Sequence, residues 1–160
     1  MTPGLTIDDV RYYDTDLTVA EIATILNGAT VAEEHTEFIG YQVSDVYQKE
    51  GVDCYKLRLV GEIDCREYEE AGMRLTVTVG AQSKTTDNPV STVFTSLLTD
   101  FGKGTYTASE GKYLFAVVIS DIPATMLPTV AVTTYAKTDA DTCHFGGNPV
   151  TFTVTTADFA

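Results

Sequence analysis

Tyr55-Lys-Leu-Arg-Leu-Val-Gly-Glu-Ile-Asp64 decides the fold class. Tyr55, Leu57, Leu59 and Ile63 alternate with Lys56, Arg58, Glu62 and Asp64. An extended chain sends one such set into a core and the other into water. The same period of two recurs in Met73-Arg-Leu-Thr-Val-Thr-Val79 and in Val150-Thr-Phe-Thr-Val-Thr155. Alternation this clean belongs to antiparallel sheets with one solvated face. Weaker strands are expected near 38–46, 91–97 and 129–136, with turns at Thr86-Asp-Asn-Pro89 and Phe145-Gly-Gly-Asn-Pro149.

Tyr113-Leu-Phe-Ala-Val-Val-Ile119 differs in being apolar on both faces, so a central strand with a covered outer side is expected there. The candidate cover is a short helix. Thr18 and Glu21 have the spacing of a capping box, Val19, Ile22, Ile25 and Leu26 form one stripe, and Gly28 stands at the C-terminal cap. These features predict a helix over 19–27. Seven or so strands with regular turn signals then make an all-β, two-sheet antiparallel sandwich. A single domain over 1–160 is expected, with 1–34 as a helix-bearing extension and 35–160 as the sandwich.

Composition bounds the function. The chain has 160 residues, with 10 basic against 23 acidic, for a net charge of −13. Hydrophobic residues at 44% and charged ones at 21% are globular values and exclude wholesale disorder. The longest apolar run is far short of the ~18–20 residues of a membrane span, so no membrane insertion is expected. Nucleic acid is excluded as a partner because neutralising phosphates takes clustered Lys and Arg. Met1-Thr-Pro-Gly-Leu5 carries neither a basic nor an apolar segment of a signal peptide.

Cys54, Cys65 and Cys143 cannot all pair within one chain. Cys54 and Cys65 bracket one strand-like run and would stand ~36 Å apart at about 3.3 Å per residue. A bridge needs Cα atoms within about 7 Å. Cys143 could reach either, and three separate thiols is the simpler reading.

Chemistry is sparse. Phe101-Gly-Lys-Gly-Thr105 lacks the Ser or Thr and the upstream Gly of a phosphate loop and reads as a hairpin loop. Zinc is disfavoured, since only Cys143 and His144 adjoin and neighbours on a strand face opposite ways. With His35 the only other imidazole, a nucleophilic triad has almost no base to draw on. Glu62 and Asp64 share a strand face, read as solvated. No catalytic residue is assigned and no cofactor is required. Ca²⁺ is the one ion to consider, at Asp14 and Asp16 or at Asp139 and Asp141, where carboxylates stand one residue apart in turns. Tyr12, Tyr13, Tyr47 and Tyr106 are the candidate ligand-binding residues, supplying flat faces for a glycan in a chain without Trp. A covalent Lys137–Asn148 crosslink across a turn is the remaining option.

A longer order of features runs through residues 38–156. Phe38-Ile-Gly-Tyr-Gln42 precedes the decisive stretch, and Tyr68-Glu-Glu-Ala-Gly-Met73 follows it. Val93-Phe-Thr-Ser-Leu97, Gly111-Lys-Tyr-Leu-Phe115, Ile119-Ser-Asp-Ile-Pro123 and Val132-Thr-Thr-Tyr-Ala136 come after. This series resembles β-sandwich modules of secreted and cell-surface proteins from Gram-positive gut anaerobes. The resemblance implies an immunoglobulin-like accessory domain on the cell exterior, non-catalytic, with a glycan or protein partner at the surface. It brings no site residues with it. The alternative is a virion structural protein, a decoration or tail subunit, which would be oligomeric.

Overall fold

The computed structural model describes residues 35–64, 68–90, 94–99, 101, 104–137 and 143–159. The chain divides at Glu33/Glu34, and every described residue lies in the second unit. The helix expected over 19–27 falls outside the described residues. The only helical element among them is a 3₁₀ turn at Thr156–Phe159. No helix in the described residues is long and apolar enough to cross a membrane.

The architecture is all-β, two antiparallel sheets facing one another across a shared core. In the first sheet β3 (Val52–Ile63) is central. β1 (Thr36–Val43) and β2 (Tyr47–Lys49) lie in line along one edge of β3. β8 (Tyr113–Pro123) takes the opposite edge, because Cys54 pairs with both Tyr47 and Pro123. The β2–β3 hairpin turns on Glu50 and Gly51, both at positive φ, as a two-residue turn matched to strand twist requires. The second sheet runs β10 (Cys143–Thr153), β9 (Thr129–Lys137), β4 (Glu70–Val79), β5 (Gln82–Val90). A two-stranded ribbon, β6 (Leu97–Leu98) with β7 (Tyr106–Thr107), completes the described strands. β1 enters the sandwich at the end where Thr36 pairs with Ile63, and β10 leaves at the opposite end, where Thr153 pairs with Thr129.

The alternating apolar residues meet as the sequence requires. Tyr55, Leu57, Leu59 and Ile63 pack with Ala71, Met73 and Leu75, with Phe115 and Val117, and with Val130, Val132 and Ala136. Such contact between two inner faces is what excludes water and drives the sheets together. Lys56 is exposed, as the alternation demands.

Three expectations are corrected. The polar side of β3 is not wet: Arg58 is 8% exposed, Glu62 5% and Val60 fully buried. Their partners come from β1 and from Phe101, Gly104 and Ser109. Arg58 lies 4.7 Å over the Phe101 ring, and its Nε donates to Gln42 Oε1 at 2.8 Å. Gln42 in turn donates to the Gly104 carbonyl at 2.7 Å. Period-two polarity reports residue type and says nothing of a loop that returns to satisfy it.

The apolar run 113–119 is not central. Among the described residues β8 pairs only with β3, apart from one bridge between Leu114 and Thr95. Leu114 is fully buried, but Val118 on the same side is 48% exposed. Finally, Thr86–Pro89 and Phe145–Pro149 are strand, not turn. The first is the edge strand β5 paired along Gly72–Leu75, where a proline needs no inward donor. The second sits in β10 around a register shift between Gly146 and Val150, with Gly147 at φ 71°.

Candidate functional site

Of the residues singled out from sequence, Tyr12, Tyr13, Asp14, Asp16, Asp139 and Asp141 lie outside the described residues. Tyr47 and Tyr106 are both half-buried, and neither is an open platform. Tyr47 Oη donates to Asp121 Oδ1 at 2.7 Å and accepts from the Asp121 amide at 2.9 Å, with Lys56 over its ring at 5.5 Å. Asp121 is held at φ 60° and also pairs with Lys49, so the phenol locks a strained residue in place. Tyr106 lies over Gly40, where a side chain would occupy its ring, and reaches the Tyr41 carbonyl at 3.4 Å.

Among the described residues no three His, Cys, Asp or Glu side chains gather to hold a metal ion. Cys54 is a buried free thiol and Cys143 an exposed one. Burial, chiefly, pushes the Cys143 thiol up. Lys137 Nζ sits 3.2 Å from Glu70 Oε1, and the register places Asn148 in the bulge beyond Gly146, away from it.

Glu62 and Asp64 take different partners. Ser109 donates to Glu62, while Asp64 Oδ2 lies 3.2 Å from His35 Nδ1 and Oδ1 accepts from the Tyr68 hydroxyl. His35 is buried, with a side chain 3% exposed. The neighbouring cleft, of about 70 Å³, is lined by His35, Glu37, Glu62, Asp64 and Lys112. It is too small for anything beyond water-sized ligands.

The better-formed site is on the outward face of the second sheet, where cross-strand register assembles it. Gly72, Tyr135 and Phe145 form one row, and Arg74 pairs with Asp87 in the next. Gly72 is required: a side chain there would overlap the Asn88 carbonyl and come within 2.6 Å of Tyr135 Oη. The Tyr135 ring therefore lies across β4, and its hydroxyl donates to Glu70 Oε1 at 3.0 Å. Burial first, then Glu70, raises the Tyr135 phenol well above its ordinary value.

Arg74 donates from Nε and Nη2 to Asp87 Oδ1 and Oδ2 at 2.7 and 3.0 Å. That fork holds the Asp87 carboxyl below its usual range and raises the guanidinium. The guanidinium also stacks 4.7 Å over Phe145, whose ring lies 6.1 Å from Tyr135. Arg74, Asp87, Tyr135, Lys137, Cys143 and Phe145 line a cleft of about 230 Å³. Below it the face continues as hydroxyls, with Thr76–Thr85 at 2.8 Å, Thr78–Ser83 at 3.0 Å and Thr129–Thr153 at 2.8 Å. Asp87 has turn composition around it in the sequence, and its pairing with Arg74, the signal of this corner, is visible only once β4 and β5 are in register.

Compared with known proteins, the chain matches no family model, and no curated protein or solved structure aligns with it significantly.

Proposed function

We propose that this chain is a non-catalytic, immunoglobulin-like β-sandwich module that acts at a bacterial cell surface by attaching to or presenting a partner. The strand order supports the immunoglobulin-like reading. β1, β3 and β8 stand where strands A, B and E would, and β10, β9 and β4 where G, F and C would. One observation carries the functional reading: the two outer faces differ. Phe101, Gly104 and Ser109 engage the first sheet's polar side, while the second sheet's is, among the described residues, uncovered and ordered by its own side-chain pairs. A flat, pre-ordered face is suited to contact, since little side-chain freedom remains to be lost on binding.

The test is retention of the labelled full chain on intact Gram-positive cells and on their isolated walls. A Thr76→Arg/Thr151→Arg variant, which crowds the bare face, loses retention if the reading holds. Equal retention of the variant and the parent removes the face from the case.

The free thiols Cys54 and Cys143 favour a second reading, a virion subunit assembled in a reducing cytoplasm. Native mass spectrometry separates the two. A closed, symmetric oligomer of the full chain supports the virion reading, and a monomer supports the surface module.

A further inference from the structure

We propose that the corner formed by Arg74, Asp87, Tyr135, Lys137 and Phe145 binds a neutral oligosaccharide, an inference that rests on the bare face being the one the module presents. Charge gives the first argument. Two cations, Arg74 and Lys137, are matched by two carboxylates, Asp87 and Glu70, at hydrogen-bonding distance. An anionic ligand would have to pull Arg74 from a bidentate partner and approach a chain of net charge −13. A cationic ligand would have to displace Arg74 or Lys137. A neutral ligand leaves both pairs intact.

Hydrogen-bonding capacity gives the second. Arg74 commits two of its five N–H donors to Asp87. Each carboxylate offers about four acceptor positions and, among the described residues, uses two of them. Donors and acceptors thus lie side by side on one sheet face, which matches a ligand whose hydroxyls both give and accept. Sugar rings are of that kind, and they also carry an apolar C–H side. Phe145, 40% exposed, is the surface for it.

The third argument separates a glycan from a protein partner. Protein interfaces of standard size have an apolar core. Among the described residues Phe145 is the one large exposed apolar side chain on this face. Val79 and Val150, though exposed, lie in the inward-facing rows. The remainder of the face is Thr and Ser, a row of further partners for a chain extending past the corner. At about 230 Å³ the cleft is smaller than the ~300–1,000 Å³ sites that engulf drug-sized ligands. It suits one ring of a polymer lying on the sheet.

The experiment places the full chain on an array of neutral gluco-, xylo-, manno- and galacto-oligosaccharides beside uronic-acid and sulfated ones. Titration calorimetry on the best binder follows. The expected result is binding to a neutral series, reduced about tenfold or more by Phe145→Ala and by Arg74→Met. Phe145→Tyr keeps it and Val118→Ala, on the other sheet, leaves it unchanged. Circular dichroism and thermal melting establish that each variant is folded, and the Phe145→Tyr result distinguishes a lost contact from a lost fold. Preference for acidic glycans, binding to none, or unchanged affinity in Phe145→Ala overturns the proposal. If no neutral sugar binds while the Thr76→Arg/Thr151→Arg variant still loses surface retention, the sugar inference falls and the surface reading stands.

Discussion

Ser109 donates both its backbone N–H and its hydroxyl to Glu62 Oε1, at 2.7 and 2.8 Å. Ser109 thereby shares with Lys112, whose Nζ lies 3.7 Å from Oε2, the pairing of a carboxylate that β3 buries. A buried carboxylate left short of partners is penalised by its desolvation. Ser109→Ala removes the hydroxyl bond and is expected to lower stability by about 1–2 kcal/mol, read from the urea midpoint at unchanged slope. A change indistinguishable from zero would mean that Lys112, the Ser109 amide and water serve Glu62 equally well.

Core and edge should respond differently to truncation. Leu59 is fully buried between the sheets, and Val118 is half-exposed on the β8 edge. Leu59→Ala is expected to cost about 2–5 kcal/mol, through lost transfer energy and the cavity left behind. Val118→Ala should stay within about 0.5 kcal/mol. Equal losses would place β8 in the interior after all.

Gly72→Ala tests the seat of Tyr135. The added methyl meets the Asn88 carbonyl, which is backbone and cannot swing aside. A loss of about 1–3 kcal/mol is expected from the overpacking, together with weaker oligosaccharide binding. Stability loss with full binding would separate the ring's position from recognition.

Alkaline titration reports on Tyr55. Its hydroxyl donates to the Met126 carbonyl at 2.9 Å, and burial, then Asp158, pushes the phenol up from 10.0 to about 12. A folded value above the unfolded one means a stabilising contribution that is complete below pH 10. It is lost as pH rises from 10 through about 12. Phenolate absorbance should show a late component that shrinks in Tyr55→Phe, the remainder belonging to Tyr135, and that variant should lose less stability between neutral and alkaline pH. A parent titrating only near 10 would contradict the buried hydrogen bond.

Acid titration reports on Asp87. Arg74 holds it below 3.8, so its contribution is present above that value and fades as pH falls through the lower, folded one. Carboxyl-carbon NMR should place the Asp87 midpoint below 3.8 in the parent and move it upward in Arg74→Met. No movement would mean that the fork does not persist in solution.

The inward residues of β3, β4 and β9 were legible because a two-sheet core needs apolar side chains at every second position, and Leu57, Met73 and Val132 supply them. Two features were hidden for definite reasons. Arg58 and Glu62 read as wet because their partners, Gln42 and Phe101 for the one and Ser109 and Lys112 for the other, are distant in sequence, and no local period encodes them. β5 read as a turn because Thr86-Asp-Asn-Pro89 has turn composition, yet an edge strand with one paired side accepts it. The corner of Arg74 and Phe145 belongs to the same class: its members are spread over four strands, and only register joins them.

The entry and exit of the chain have a mechanical consequence. Thr36 and Thr153 stand at opposite ends of the sandwich, so tension applied between them runs parallel to the strands. The ladder from Thr36–Ile63 to Val43–Leu57 is then loaded in shear, and its bonds resist together instead of parting one at a time. A domain strung this way behaves as a stiff link under load. That is a useful property wherever something must be held away from a wall or shell against flow.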